Sequence, residues 1–503
     1  MSKQSRPGLA FTGEERPRLW FKDILGRCCA LFKGEDPMML TVNCRSILLV
    51  AAMACAAISL GAEEVTVETY PFPYDYNSMG SYPLAVGPDG DIWFGAPDPP
   101  RLMRISGELI QVVANEGFLT SSQPQLVFGP DGRLRMLQFD YFETPDWELF
   151  PAWLYVYHEE SGVTLTDLEV PDSIWEPQTP FFAPDGTLYY WTASADLPGE
   201  RERIYELTGG GPIYRFGANG MISSLAVSSS ECWATVLETY GGQFALFKID
   251  LSAGCVLERH FNNHLGPRSG PWAIDDRGRV WLSWERQIGV FDSGRFKVIA
   301  RAPDGTYFFA ARISADGTVW WQSQWGAWGL IRWRDGAQRL LTTDDGLLSE
   351  YCADPPVIDY DGRVWVLNFA YEFDYEWLGL SRISDGGWPP MRLMLHQVET
   401  EGTIAVEAQV INNGPVVGVD VYVALELNGQ LLYWPNWQPA PHANQVNLRP
   451  GHNQTATIIS APRATVPPGT YTFWGCMTGR GTQKLIGPLD RKFESVIVTI
   501  PGD

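Results

Sequence analysis

The chain has 503 residues, of which 45% are hydrophobic and 13% aromatic, and its 59 acidic and 37 basic residues give a formal net charge of −22. This length predicts two or more domains, and the apolar content excludes a disordered chain. The acidic balance argues against a phosphate backbone as partner, because nucleic-acid binding needs clustered lysine and arginine.

The N-terminal part of the chain has the features of an export signal. Residues 46–60 form a short apolar run, and residues 60–62 offer a small-residue cleavage site. The run is too short for a comfortable membrane span, so we predict no transmembrane anchor. We expect residues 1–62 to be an N-terminal extension and signal peptide, with translation starting at Met38 or Met39. The protein is then expected to be secreted, periplasmic or on the cell surface.

A short phrase recurs seven times between residues 89 and 365. It consists of an apolar strand, then Asp-Gly or a variant, then an aromatic residue three positions beyond the glycine. The copies lie about 40 to 54 residues apart, the period of a four-stranded propeller blade. The phrase predicts an all-β fold with a seven-bladed β-propeller over residues 63–390. The copies are Asp89-Gly90 with Trp93, Asp131-Gly132 with Arg135 replacing the aromatic, Asp185-Gly186 with Tyr189, the variant Ser230-Glu231 with Trp233, Arg277-Gly278 with Trp281, Asp316-Gly317 with Trp320, and Asp361-Gly362 with Trp365.

Two further expectations concern how the blades fit together. Each blade needs a large side chain to fill the gap between neighbouring sheets, so the repeated aromatic residues are predicted to be core rather than ligand contacts. A strand at residues 64–69 precedes the first inner strand. We expect it to be the outer strand of the seventh blade, which would join the first and last blades.

After residue 390 the phrase stops and longer strands begin. Apolar and polar residues alternate over residues 404–410 and 419–427, which is a period-two signal for half-buried strands. Further strands are predicted at residues 455–460, 470–478 and 494–500. About seven short strands in roughly 110 residues predict an immunoglobulin-like β-sandwich over residues 391–503, acting as a spacer or attachment domain.

Several blade motifs resemble known bacterial families. The segments TDDGL at 343–347 and VIDYDGRVWV at 357–366 resemble the two-component-regulator propeller repeat, which places extracytoplasmic propellers on sensor proteins. The segment VGPDGDIWF at 86–94 resembles a blade of the virginiamycin B lyase family, and residues 391–503 are similar to CARDB-like and other Ig-like sandwiches. The lyase resemblance implies a histidine base beside a divalent metal on the propeller face. The positions before the inner strands carry proline and no histidine, so no catalytic residue is carried over.

The predicted ligand site lies on the loops between blades and between the second and third strands of a blade. These loops share one face of a propeller, and here they are rich in aromatic and acidic residues. Aromatic side chains dominate binding hot spots, whereas the alternative is that these loops only pack on one another over the channel mouth. The candidate ligand-binding residues are Tyr141, Trp147, Glu148, Trp153, Trp175, Trp284, Trp325, Trp328, Asp374, Tyr375 and Trp377.

Two functions follow from this face. We favour a secreted, non-enzymatic binding protein that takes a carbohydrate or a peptide, and the alternative is a propeller-type lyase or glycoside-active enzyme on the same face. No catalytic residue, cofactor or metal site is predicted, because the i, i+4 spacing of His260 and His264 suits zinc only on a helix and a loop is expected there. Cys232 and Cys255 fall in one blade, and the sequence leaves their pairing open.

Overall fold

The computed structural model describes residues 65–77, 84–97, 100–115, 125–139, 152–171, 180–183, 185–193, 202–218, 221–227, 231–237, 244–261, 265, 270–284, 286–301, 307–324, 329–370 and 376–501. Within these ranges the regular structure is β-strand apart from two 3₁₀ helices, Thr343–Asp345 and Arg463–Thr465. The all-β prediction is therefore confirmed. The predicted N-terminal extension and signal peptide lie outside the described residues.

The described residues before residue 390 form seven four-stranded antiparallel sheets. We call them blades one to seven, in chain order. Strand β1 (Thr66–Asn77) is followed by blade one, with β2 (Ala85–Val86), β3 (Ile92–Pro97), β4 (Pro100–Ser106) and β5 (Leu109–Ala114). Blade two has β6 (Gln125–Phe128), β7 (Leu134–Phe139), β8 (Ala152–His158) and β9 (Gly162–Leu165); blade three has β10 (Phe181–Phe182), β11 (Leu188–Ala193), β12 (Glu202–Leu207) and β13 (Ile213–Ala218). Blade four has β14 (Met221–Val227), β15 (Glu231–Leu237), β16 (Phe244–Asp250) and β17 (Cys255–Phe261); blade five has β18 (Gly270–Ile274), β19 (Val280–Trp284), β20 (Gln287–Asp292) and β21 (Arg295–Arg301). Blade six has β22 (Tyr307–Ile313), β23 (Val319–Gln324), β24 (Gly329–Arg334) and β25 (Ala337–Leu341), and blade seven has β26 (Cys352–Ile358), β27 (Val364–Ala370) and β28 (Glu376–Ser384) together with β1.

The Asp-Gly phrase forms the turn between the first and second strands of a blade. In six blades the glycine has a positive φ, between 72° and 91°, where a residue with a Cβ would be strained. Its N–H donates to the carbonyl three residues earlier, as from Gly362 to Asp359 at 3.1 Å. The turn aspartate caps the following backbone in most blades, as Asp185 does for the N–H of Thr187 at 2.9 Å.

Blades five and seven carry an aspartate two residues before the turn residue. Asp359 accepts hydrogen bonds from the backbone of Asp361 and Arg363 at 2.8 and 2.9 Å, and from the indole of Trp365 at 3.0 Å. Asp275 accepts one from the indole of Trp281 at 2.8 Å in the same way. Blade one has Gly87 at this position, and within the described part of the chain the Trp93 indole nitrogen has no hydrogen-bond partner.

The repeated aromatic side chains fill the gaps between blades, as predicted. Trp93 packs with Leu126 and Met136 of blade two, and each later aromatic packs against the blade that follows it. Trp365 packs against Ile92 of blade one, so the chain of sheets closes into a ring. Where Arg135 replaces the aromatic, its guanidinium lies 4.8 Å from the ring centre of Phe182 in blade three. The repeated aromatic residues are all buried: Trp93, Tyr189, Trp233, Trp281, Trp320 and Trp365.

The ring is closed by the N-terminal strand. Strand β1 pairs antiparallel with β28, with Thr66 opposite Ser384 and Asn77 opposite Glu376. It therefore forms the outer strand of blade seven, as predicted, and it runs further than the predicted residues 64–69. The covering of the last blade by the first strand is the device by which propellers protect their edges.

Residues 391–500 form two packed sheets with nine strands, rather than about seven. The three-stranded sheet contains β29 (Met391–Thr400), β30 (Thr403–Asn412) and β34 (His452–Pro462). The six-stranded sheet contains β31 (Val417–Leu427), β32 (Gln430–Tyr433), β33 (Asn444–Leu448), β35 (Gly469–Gly479), β36 (Leu485–Ile486) and β37 (Glu494–Ile500). Val406 of the first sheet and Val421 and Phe473 of the second belong to one buried core. The immunoglobulin-like assignment of this sandwich remains a prediction.

The strand directions give the propeller two distinct faces. The Asp-Gly turns and the turns between third and fourth strands lie at one end of the sheets, which we call the turn face. The loops between second and third strands, and those between blades, lie at the other end, which we call the loop face. The sandwich contacts the turn face; for example, Arg480 donates to the carbonyl of Pro130 at 2.9 Å.

Candidate ligand face

Three of the eleven predicted ligand residues lie within the described part of the chain. Trp153 in β8 is half-buried and packs against the core between blades one and two. Trp284 ends β19, and Trp377 lies in β28 opposite Phe369, so both lie at the loop-face ends of their strands. The other predicted residues are outside the described residues: Tyr141, Trp147, Glu148, Trp175, Trp325, Trp328, Asp374 and Tyr375.

A row of buried polar side chains lies just beneath the loop face. These residues occupy the last three positions of the second strand in several blades, and none is more than 2% exposed. Burial of a polar group costs about 1–3 kcal/mol unless it is hydrogen-bonded, so such a row needs partners. We call this row the polar shelf; it comprises Gln138, Thr192, Thr235, Ser283, Gln322 and Asn368.

Hydrogen-bond partners are identified for two residues of the polar shelf. Ser283 accepts a hydrogen bond from the Trp272 indole at 2.8 Å, and Asn368 accepts one from Ser381 at 2.6 Å. The side-chain nitrogen of Gln322 has no partner within the described residues. Our sequence reasoning missed the shelf, although a polar residue two or three positions after the repeated aromatic was a visible signal.

Glu202 is the most unusual group near this face. It begins β12 at the loop-face end of blade three, and its side chain is only 8% exposed. The backbone N–H of Ile222 in blade four hydrogen-bonds to the carboxylate, which places Glu202 at the gap between these blades. Among the described residues Oε2 has no hydrogen-bond partner.

Burial controls the protonation of Glu202. It raises the pKa of this carboxyl to about 8, and the hydrogen bond from Ile222 only partly opposes that rise. At neutral pH the carboxyl is therefore mainly neutral and can donate a hydrogen bond as well as accept one. Strongly perturbed carboxyl groups with a free oxygen are typical of functional sites. No sequence motif marked Glu202.

The described histidines and cysteines do not converge on this face. His260 lies in the outer strand β17, not in the loop we expected, and its Nε2 lies 2.9 Å from Glu258. No group of three or more histidine, cysteine or acidic residues able to hold a metal occurs among the described residues. Cys232 and Cys255 are both free, the first buried in the core and the second exposed.

Comparisons with known proteins give distant structural matches only. No family model matches the chain, and no curated protein matches it significantly. Among solved structures, a virginiamycin B lyase from Staphylococcus aureus is 14% identical with a TM-score of 0.46, and the match covers 64% of this chain and 99% of the lyase. The extracellular domain of a putative one-component system from B. thetaiotaomicron is 11% identical with a TM-score of 0.44, and the match covers 86% of this chain and 59% of that one. At TM-scores below 0.5 these matches carry no argument about the present chain.

The described residues also include no helix of sufficient length and apolarity to span a membrane.

Proposed function

We propose that this chain is a secreted, periplasmic or cell-surface binding protein without enzymatic activity, and that it takes a carbohydrate or a peptide on the loop face of the propeller. The observation that carries the proposal is that the two faces of the propeller have different neighbours. The sandwich occupies the turn face, and the polar shelf and Glu202 lie beneath the opposite face.

The chemistry beneath the loop face suits a hydrogen-bonding ligand. A mainly neutral Glu202 offers both a donor and an acceptor, and Gln322 has an amide nitrogen without a partner in the described residues. Hydroxyl groups of a sugar and amide groups of a peptide backbone match such groups in kind. The aromatic residues predicted in the loops would add apolar contact area, which is the usual composition of a ligand site.

The enzymatic alternative needs groups that the described residues do not supply. A glycoside-active enzyme uses two carboxyl groups that flank the bond to be cleaved. Among the described residues, no second carboxylate shifts the pKa of Glu202. The two causes of its shift are burial and the hydrogen bond from the Ile222 backbone. A lyase of the resembled family would need a histidine beside a metal, and no such cluster occurs in the described part of the chain.

The proposal is tested with a glycan array and a peptide library, both probed with the full chain. The strongest ligand is then titrated against variants of Trp147, which we predict in the loop after the second strand of blade two, and of Trp377 at the loop-face end of β28. We predict that these two residues flank a groove above blade one. Trp147→Ala and Trp377→Ala should each weaken binding by about 1–3 kcal/mol if they are anchors. The control is Leu165→Ala, an exposed apolar residue on the outer strand β9.

Two results would overturn the proposal. Unchanged affinity in both tryptophan variants would remove the predicted site, and it would leave the aromatic residues as packing alone. Turnover of the bound ligand, detected as a new product by mass spectrometry, would favour the enzymatic alternative.

A further inference from the structure

The contacts between the sandwich and the propeller concentrate at the seam where the ring closes. Residues 480–484 follow β35 and reach three consecutive blades. Arg480 donates to the carbonyl of Pro130 in blade two, and Thr482 donates to the carbonyl of Pro88 in blade one at 3.3 Å. Lys484 lies 3.1 Å from Asp361 in blade seven. One short loop thus spans both sides of the seam.

The backbone of the sandwich at Gly479 lies directly against the backbone of blade one at Pro88. A Cβ added at Gly479 would lie 1.6 Å from the carbonyl oxygen of Pro88. Only glycine fits at this position, because any side chain would force the sandwich away from blade one.

Asp361 is the charged centre of the contact at blade seven. Its carboxylate pairs with Lys484 and Lys492 of the sandwich and with Arg363 of its own blade. Burial acts to raise the pKa of Asp361, but hydrogen bonds from Lys492 and Lys484 outweigh it and hold the pKa below its ordinary value. Lys492 also donates to the carbonyl of Tyr360 at 3.4 Å.

The Asp361 carboxylate is available to the sandwich because a second aspartate, Asp359, caps the turn backbone in its place. In blades one, two, three and six the turn aspartate caps the backbone two residues later. In blade seven, Asp359 caps both that backbone and the turn itself. The Asp361 carboxylate is thereby released from its own turn and directed to the two lysines.

A second contact ties blades five and six. Asn413 donates to the carbonyl of Ser314 in blade six at 2.9 Å and accepts a hydrogen bond from the backbone of Asp276 in blade five at 2.7 Å. Asn412 holds this loop in place by donating to the carbonyls of Pro415 and Arg449 at 2.9 and 3.1 Å.

We propose that the sandwich is a clamp that holds the propeller ring closed, rather than a spacer or attachment domain. It bridges blades seven, one and two through residues 480–484 and blades five and six through Asn413. The seam is where such a clamp acts most effectively, because among the described residues the first and last blades are otherwise joined by the pairing of β1 with β28 and by the adjoining core. This inference is independent of the proposed ligand.

The test uses amide hydrogen exchange of the full chain, read at peptides from β1 and β28. Asp361→Asn removes the charge that the two lysines bind, and Lys492→Met removes one lysine charge while keeping most of its aliphatic stem. Each should speed exchange in β1 and β28 by about tenfold or more, because local opening of the seam becomes easier. Far-UV circular dichroism verifies that each variant is folded.

Matched control variants distinguish a local effect on the seam from a general loss of stability. Asp185→Asn changes the equivalent turn residue in blade three, whose carboxylate caps its own turn. Lys248→Met removes a lysine that pairs with Glu231 inside blade four at 3.0 Å. Both controls should leave exchange in β1 and β28 at the parental rate.

The proposal is overturned if folded Asp361→Asn and Lys492→Met proteins exchange at β1 and β28 no faster than their controls. It is also overturned if the faster exchange is confined to the sandwich strands. If Asp361→Asn fails to fold, Lys492→Met alone decides between these outcomes.

Discussion

The indole hydrogen bonds of the repeated tryptophans provide a sharp prediction about stability. Trp365 and Trp93 occupy equivalent positions, are 3% and 5% exposed, and each lies 5.4 Å from the guanidinium carbon of an arginine. They differ in the hydrogen bond of the indole, since the Trp365 indole donates to buried Asp359 and the Trp93 indole has no partner in the described residues.

Replacement of either tryptophan by phenylalanine leaves a similar void, so the packing cost should nearly cancel between the two variants. Trp365→Phe also leaves a buried carboxylate without its donor, and hydrogen bonds to charged groups contribute about 1.5–3 kcal/mol. Burial already raises the pKa of Asp359, and the indole hydrogen bond acts against that rise. Trp93→Phe removes an unpaired N–H, which is a small gain. We therefore expect Trp365→Phe to lose about 1.5–3 kcal/mol more than Trp93→Phe.

The assay is urea unfolding of the full chain followed by far-UV circular dichroism, with the free energy of unfolding compared between the two variants. Trp281→Phe serves as a replicate, because its indole donates to Asp275 at 2.8 Å. Equal losses in all three variants, or a larger loss in Trp93→Phe, would show that the hydrogen bond from the indole to the buried aspartate does not stabilise the fold.

The remaining predictions concern one carboxyl and two thiols. The pKa of Glu202 rises from 4.5 to about 8 on folding, so its stabilising effect is present at low pH and is lost as pH rises through this window. The parent should therefore lose on the order of 5 kcal/mol in free energy of unfolding between pH 4.5 and 8, and Glu202→Gln should not show this loss. Chemical unfolding of parent and variant across that pH range measures the free energy of unfolding of each. The prediction is contradicted if the two free energies change with pH in parallel. In the native chain iodoacetamide should modify Cys255 and not Cys232, because Cys232 is buried and burial raises the pKa of its thiol. Mass spectrometry identifies the modified peptide, and absence of any reactive thiol at Cys255 would contradict the free state.

The sequence predicted the repeated unit of the fold well because one local rule recurs in it. Turn geometry demands glycine, the interblade gap demands an aromatic side chain, and both demands are visible without an alignment. In the sandwich, strand β37 (Glu494–Ile500) matches its predicted range, residues 494–500. The strand at residues 64–69 was also placed correctly, because a spare strand before the first blade has only one free edge to join.

The sequence did not predict what depends on contacts between distant segments. Glu202 carries no motif, and its raised pKa comes from the approach of blade four. The role of Asp361 also depends on lysines more than a hundred residues away, so in the sequence it appeared to be one more turn residue. His260 was expected in a loop because the length of the outer strand of blade four had no sequence signal.

We expect ligands to bind the loop face while the sandwich occupies the turn face. This expectation is tested most directly by hydrogen exchange of the full chain with and without the strongest ligand from the array or library. We expect slower exchange in peptides that border the loop face, such as those ending β11 and starting β12, with the sandwich and the Asp-Gly turns unchanged. Protection confined to the sandwich or to the turn face would contradict it.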